Sequence, residues 1–355
     1  MNRKLFFILQ IFTIALFSLC SLSILSGVVQ AANPLAADLV QDGQPIDFRQ
    51  SKFTQLFTEL QQQHKFTPEQ LRSIFTGLTI DRKVLVLMDK QWEAKPYYQY
   101  APLFITDTVI QRGREKLAQH RQLLDQIEQQ FGVDREVVVA IWGVETRYGE
   151  HQGNYNVLRT LTTLFDAYPR RASFFRKQLV HFLLLCRETG TDPRTVKGSY
   201  AGAFGQTQFI PSSFREYAVS FDGDHKRDVW NSSADILASI ANYLKRSGWT
   251  LHAPVFVELG NTLNSPQLVS AEEKGWKATV SSAAVEHAQR IHLPTVPGKK
   301  GLTIVGLELP PDATSPKRYV AGYPNLQAIT EWNHSNRYAM AVAELAQLLK
   351  QPAPQ

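Results

Sequence analysis

Glu145 ends an almost wholly apolar stretch, Ala140-Ile141-Trp142-Gly143-Val144, and is followed by Thr146-Arg147-Tyr148-Gly149. Apolar surroundings withhold the hydration that an ionised carboxylate needs, so its pKa rises and it keeps a proton near neutral pH, as a general acid must. The same position also suits an ion pair with Arg147 or Arg159 that ties a helix end to a loop, and position alone leaves both readings open. Further on, Tyr168-Pro169-Arg170-Arg171 sets two guanidinium groups side by side, either as fixed donors for carboxylate and carbonyl oxygens or as a solvated basic surface. Residues 198–214 mix glycines with Ser199, Gln208 and several aromatics, a composition that lines a polar groove able to stack sugars. That run also reads as a buried glycine-rich connection, with Pro211-Ser212-Ser213 starting the next helix.

Ser220-Phe221-Asp222-Gly223-Asp224-His225-Lys226-Arg227-Asp228 alternates carboxylates around a glycine ahead of a helix, as calcium loops do. Ser220, however, stands where the first carboxylate is expected, and Lys226 and Arg227 bring positive charge into the loop. The expected state is therefore ion-free and calcium dispensable, with Asp222, Asp224 and Asp235 as the ligands if an ion binds.

The elements that must carry these residues follow from spacing. Residues 53–130 place apolar side chains at helical intervals, with Thr67-Pro68-Glu69 as a helix start. Asp134 is placed to cap a helix through Val137, Val138, Val139, Ile141 and Val144, which Gly149 would close. Beyond Leu251 prolines multiply and short β-prone runs appear, Val255-Phe256-Val257 and Leu302-Thr303-Ile304-Val305. A final helix is expected from Tyr338 to Leu349, with Ala339, Val342, Ala343, Leu345 and Ala346 turned to the core. The fold class is mainly α (α+β). Its parts are 1–31, 32–130 (α-helical), 131–250 (motif-bearing core), 251–327 (small, β-containing) and 328–355 (a helix packed back on the core).

The segment 1–31 reads as an export signal. Arg3-Lys4 precede an uncharged, mostly apolar run from Leu5 to Val29, and Val29-Gln30-Ala31 has the small-residue pattern of a cleavage site. The run is long enough to span a bilayer, so an uncleaved anchor stays an alternative. Lipid attachment at Cys20 ranks lower, because Leu19 fills the position that needs a small residue. Cleavage would leave Cys186 without a partner for an intramolecular disulfide. It would also lower the formal charge from +6 to +4, a mild preference for acidic partners. Export argues against nucleic acid.

In their order along the chain, Glu145 with its Thr-Arg-Tyr-Gly, Tyr168-Pro169-Arg170-Arg171, the run from Ala201 to Ser213 and Asp222-Gly223-Asp224 resemble the lytic murein transglycosylase B family. The likeness extends from near Tyr100 through Trp230, Ala241-Asn242-Tyr243 and Gly248-Trp249 to Trp332-Asn333-His334-Ser335 and Tyr338-Ala339-Met340. It implies a lysozyme-like core between an α-helical and a small β-containing region, with a groove for peptidoglycan strands. Glu145 corresponds to the family's catalytic glutamate. Ser199 and Gln208 match positions that line its active site, and Arg170 and Arg171 match arginines that meet the lactyl or peptide part of the substrate. Tyr100, Tyr243, Asn333 and Tyr338 correspond to groove residues on shorter matches. Trp332 stands where the family often has Tyr, which keeps stacking and loses a hydroxyl contact. Some members carry an EF-hand-like site at the Asp222 loop.

The implied reaction uses one carboxylate where most glycosidases use two. Glu145 donates a proton to the leaving oxygen between N-acetylmuramic acid (MurNAc) and N-acetylglucosamine (GlcNAc). It then accepts one from the muramic C6 hydroxyl, giving a 1,6-anhydromuramoyl end with no required cofactor. A hydrolytic muramidase and a non-catalytic peptidoglycan-binding scaffold are the alternatives. The implied setting is the periplasm, free or anchored to the membrane, with other cell-wall enzymes as partners.

Overall fold

The computed structural model describes residues 35–89, 95–295 and 301–351. The apolar segment read as an export signal lies outside them.

Helices begin where apolar side chains recur every three or four residues. In α1 (Ser51–Gln62), Phe53, Leu56 and Leu60 are buried, and in α2 (Pro68–Phe75) Leu71 and Phe75 are. Each such side chain contributes about 1.5–3 kcal/mol by leaving water. Thr67 starts α2 as expected: its hydroxyl accepts the Gln70 amide N–H at 3.2 Å while Gln70 Oε1 accepts that of Thr67 at 2.9 Å. Then follow α3 (Arg82–Asp89), the single turn α4 (Tyr97–Tyr100), α5 (Asp107–Gln119), α6 (Arg121–Phe131) and α7 (Arg135–Thr146). A two-residue ladder pairs β1 (Tyr155–Asn156) with β2 (Lys197–Gly198), enclosing α8 (Val157–Ala167) and α9 (Ala172–Thr189). Pro211 opens α10 (Pro211–Tyr217), and α11 (Ser233–Arg246) completes this part.

The second half of the chain holds β3 (Phe256–Gly260), α12 (Pro266–Lys274), α13 (Ser282–Gln289), β4 (Thr303–Glu308) and β5 (Lys317–Gly322). The antiparallel sheet is ordered β3-β5-β4, with Gly322 opposite both Phe256 and Thr303. This part has a small core of its own around Leu268, Val285, Leu302, Ile304 and Tyr323. The expected short strands are present. The two helices and the central strand β5 were not foreseen, because α12 and α13 are each only two turns long and carry too few apolar residues for a clear period. The chain ends on α14 (Pro324–Asn333) and α15 (Asn336–Lys350).

α7 is the axis of the molecule. Val137 to Val144 are all buried, as befits a helix that is apolar on every side, and α5, α6, α11 and α15 enclose it. The approach is close at Gly143, where a β-carbon would lie 2.7 Å from the Tyr148 hydroxyl oxygen. Two expectations for this helix are corrected. Asp134 does precede it, but its carboxylate does not cap it. Asp134 Oδ2 instead accepts the Trp249 indole N–H at 2.9 Å and the His252 amide at 3.2 Å, tying the helix start to the chain after α11. Nor does Gly149 close the helix. Arg147 and Tyr148 turn into the left-handed region first (φ 50° and 61°), and Gly149 (φ 95°) continues the turn.

Candidate active site

The sharp turn after α7 sets Glu145 in the last helical turn, half-buried, at the point where α7 meets the start of α15. Its Oε1 accepts the Tyr338 hydroxyl at 2.6 Å. Burial raises its pKa to about 7, against weaker stabilisation of the anion by hydrogen bonds from Tyr338 and Trp332. Among the described residues no cation pairs with it. Arg159 spends its guanidinium on the carbonyls of Thr79 and Ile80, at 3.0 and 2.7 Å, and Arg147 is exposed. The ion-pair reading of Glu145 therefore does not hold. Burial and the same carboxylate raise the Tyr338 pKa well above its ordinary value, so the phenol stays a donor.

Trp332 was expected to keep stacking and lose a hydroxyl contact. It packs at a tilt against Tyr243, 4.6 Å between ring centres at 56°, and Phe209, 5.2 Å at 37°, and its indole N–H serves Glu145, so a donor is retained. Tyr243, nearly buried on α11, donates its hydroxyl to the Glu331 carbonyl at 2.7 Å, which fixes the end of α14. Tyr100 is buried on α4 and faces Tyr338. Asn333 is exposed at the end of α14.

The loops after α7 and around β2 are locked together. At Gly153 (φ 87°) a β-carbon would lie 2.1 Å from the Gly198 carbonyl oxygen, so the two backbones touch. Ser199 Oγ accepts the amides of Ala201 and Ala203 at 3.3 and 3.1 Å and keeps its O–H for another partner. Gln208, itself left-handed (φ 48°), donates to the carbonyls of Gln152 at 3.2 Å and Gly205 at 2.9 Å, which leaves its amide oxygen as the acceptor for a ligand. One residue of this lock escaped the sequence reading. Gln206 accepts the Trp142 indole N–H at 2.9 Å and donates to the Trp230 carbonyl at 2.7 Å, latching the glycine-rich loop to α7. Only its place beside Gln208 hinted at it.

A cavity of about 660 Å³ opens beside Trp332. Arg171, Gln208, Tyr243 and Asn333 line it, with the acids Glu216 and Glu331 at its edge. Both acids are exposed, and Glu216 pairs with Arg246 at 2.8 Å. The two arginines separate. Arg171 lies over the Phe174 ring at 4.4 Å and faces the cavity, whereas Arg170 is engaged with Asp89 and the Tyr168 ring and is not part of the lining.

In the acidic loop, oxygens of Asp222, Asp224 and Asp235 lie within 4.8 Å of one another, and the buried Ser220 hydroxyl has no partner among the described residues. The argument from positive charge is half corrected. Arg227 leaves the loop, pairing with Glu188 at 3.5 Å and lying over the Phe214 ring at 5.1 Å, because that carboxylate and ring offer it a better seat. Asp235 accepts the amides of Phe221 and Asp228 at 2.7 and 2.8 Å, so the loop is already drawn around its carboxylate.

Residues 49–347 match the family model described as Transglycosylase SLT domain. The membrane-bound lytic murein transglycosylase B of Escherichia coli (strain K12) is 35% identical over 312 residues, which cover 85% of this chain and 83% of that one. The Escherichia coli lytic transglycosylase Slt35 in complex with calcium superposes with a TM-score of 0.75 at 34% identity, covering 88% and 96% of the two chains. SltB3 from Pseudomonas aeruginosa in complex with NAG-anhNAM-pentapeptide gives 0.70 at 30% identity over 85% and 80%.

Proposed function

Because the chain belongs to the Transglycosylase SLT domain family and is a lytic transglycosylase acting on peptidoglycan, we propose that Glu145 alone supplies its acid/base catalysis. The observation that carries this is a half-buried carboxyl with no cationic partner among the described residues, held by a hydroxyl and an indole N–H and poised to titrate at about 7.

Protonated Glu145 gives its proton to the glycosidic oxygen between MurNAc and GlcNAc as the C1–O bond breaks. Tyr338 steadies the carboxylate left behind. The carboxylate then takes the proton of the muramic C6 hydroxyl, whose oxygen closes on C1 of its own sugar. The products are a 1,6-anhydromuramoyl end and a free GlcNAc 4-hydroxyl, with Glu145 reprotonated. Ring closure within one sugar gains from proximity. The SltB3 relative captured with NAG-anhNAM-pentapeptide supports extending this product, and a peptide-bearing strand, to this chain.

Gln208, Ser199, Tyr243, Trp332 and Asn333 line the strand's path in this reading, with Arg171 receiving the lactyl or peptide carboxylate. Asp222, Asp224 and Asp235, with the Ser220 hydroxyl, fit a calcium ion that would brace the loop ahead of α11; no step of cleavage passes through it. Export to the periplasm follows from the reading of residues 1–31, and the membrane-bound relative supports a site of action close to the membrane. Among the described residues no helix is long and apolar enough to cross a membrane.

Digestion of purified murein sacculi tests the assignment. Released muropeptides should be one water lighter than hydrolysis products, and Glu145→Gln should cut their release by about a hundredfold or more while the protein stays folded. Hydrated ends would point to a muramidase, and activity of the variant within about tenfold of wild type would remove Glu145 from the reaction.

A further inference from the structure

The small β-sheet reaches the two elements beside Glu145 through a side chain that the mechanism above does not use. Glu308, the last residue of β4, is half-buried and divides its carboxylate between two elements of the groove. Its Oε1 accepts from Arg337 Nη2 at 2.6 Å, and its Oε2 accepts the Tyr97 amide N–H at 2.9 Å. Arg337 directly precedes Tyr338 in the first turn of α15, and Tyr97 opens the single turn α4 that carries Tyr100. A second junction lies two helical turns along α15. Glu344 there accepts the Tyr97 hydroxyl at 2.7 Å and pairs with Arg318 of β5, which reaches Glu258 of β3 at 2.5 Å. The sheet thus holds α4 and α15 at fixed positions against each other.

We propose that Glu308 is a positioning residue for the reaction: by clamping Arg337 and the start of α4, it holds the Tyr338 hydroxyl on Glu145. α15 is seated on α7 by its buried face, Ala339, Met340, Ala341 and Val342, but apolar packing is non-directional and does not by itself aim a hydroxyl. The Ser335 hydroxyl caps its first turn by accepting the Tyr338 amide at 3.3 Å, which fixes the backbone there, and the Glu308 clamp adds a directional tie from the sheet. An ångström of drift there would break a 2.6 Å hydrogen bond, and misplacement on that scale costs about a hundredfold in rate. The titratable groups facing Tyr338 are Glu145 from α7, Tyr100 from α4 and Tyr243 from α11, while Glu308 faces Arg337 and, more remotely, Lys317. Removing the clamp therefore acts on Glu145 through Tyr338 and not through a new charge beside it.

The proposal rests on Glu145 as the acid, and its test separates the two. Glu308→Gln and Glu308→Ala are compared with wild type, Glu145→Gln and Tyr338→Phe for kcat and KM on purified glycan strands from pH 5 to 9. Glu272→Gln, which breaks a 2.8 Å ion pair with Lys317 on the same sheet without touching α15, is the control. Loss of the Tyr338 donor destabilises the Glu145 anion, so the basic limb of the rate profile should move to higher pH in the Glu308 and Tyr338 variants alike. Both Glu308 variants should lose about tenfold or more in kcat with KM within about twofold, and Glu308→Gln should add little once Tyr338 is Phe. An unmoved limb in the Glu308 variants, a limb that shifts equally in Glu272→Gln, or full additivity with Tyr338→Phe overturns the clamp. An active Glu145→Gln overturns the underlying assignment instead. Thermal melts keep a merely unfolded variant from being read as support, and Glu308→Gln, nearly isosteric, is the arm that decides.

Discussion

On the proposed mechanism a single carboxyl, Glu145, sets the pH range of the reaction. Burial lifts Glu145 from an ordinary value of 4.5 to about 7, so the proton needed for the first step is lost as pH rises through neutrality. The basic limb of kcat/KM should fall near 7 in wild type, and a limb above 9 would mean that another group titrates. Stability carries the same sign. A carboxyl whose folded pKa exceeds its unfolded one stabilises the protein below about 4.5 relative to high pH, and that contribution is lost as pH climbs through about 7. Glu145→Gln should accordingly gain on wild type in thermal melts between pH 5 and pH 8, by about 3 kcal/mol at most. The paired arginines make a second residue-scale test. Arg171 faces the cavity and Arg170 is engaged by Asp89. Arg171→Ala should weaken binding of intact murein more than of peptide-free glycan, while Arg170→Ala should change both little. Equal losses on the two ligands would make Arg171 a general electrostatic or packing residue.

Among the elements, α7 was the most legible, because an unbroken apolar run can only be satisfied by burial on every side. Its ending was not. The turn that aims Glu145 is made by Arg147 and Tyr148 in left-handed backbone, which neither residue prefers, and it persists because neighbouring groups hold it. Gln206 bonds the Trp142 indole, the Thr146 hydroxyl donates to the Gln206 carbonyl at 3.3 Å, and Tyr148 donates to the Val109 carbonyl at 2.9 Å. Such partners come from distant chain positions and leave no local pattern. Gly143 gives the measure of this packing: in Gly143→Ala the new methyl would meet the Tyr148 ring and hydroxyl at 2.7–2.9 Å. We expect a loss of about 1–3 kcal/mol, seen as a lower urea midpoint at constant slope. An unchanged midpoint would show that Tyr148 moves aside freely and does not brace the turn.

For the molecule as a whole, the described residues from Leu35 onward form one compact unit in which the small sheet bears on α4 and α15. A calcium ion held by the acidic loop, which joins α10 to α11, would be felt at this scale as global stability. With Arg227 drawn away to Glu188, we expect calcium at tenfold its dissociation constant to add about 1.4 kcal/mol, or roughly 2 °C in melting temperature. Asp224→Ala should abolish the rise and magnesium should not reproduce it; no rise in millimolar calcium would restore the ion-free reading.

Period and residue type were enough to show a mainly helical chain, a half-buried acid at the end of an apolar helix, the capping box at Thr67 and the last helix, because each depends on neighbours within one or two turns. The order of the motifs was enough to indicate the family, and with it a groove. What Glu145 pairs with, which of Arg170 and Arg171 faces the cavity, where Arg227 turns and how Glu308 reaches Arg337 were decided only by folding. Each of these depends on which of several oppositely charged or hydrogen-bonding groups, tens to hundreds of residues apart, comes within about 3 Å. Local spacing carries no record of that distance; the packing of α15 and the small sheet onto α7 creates it.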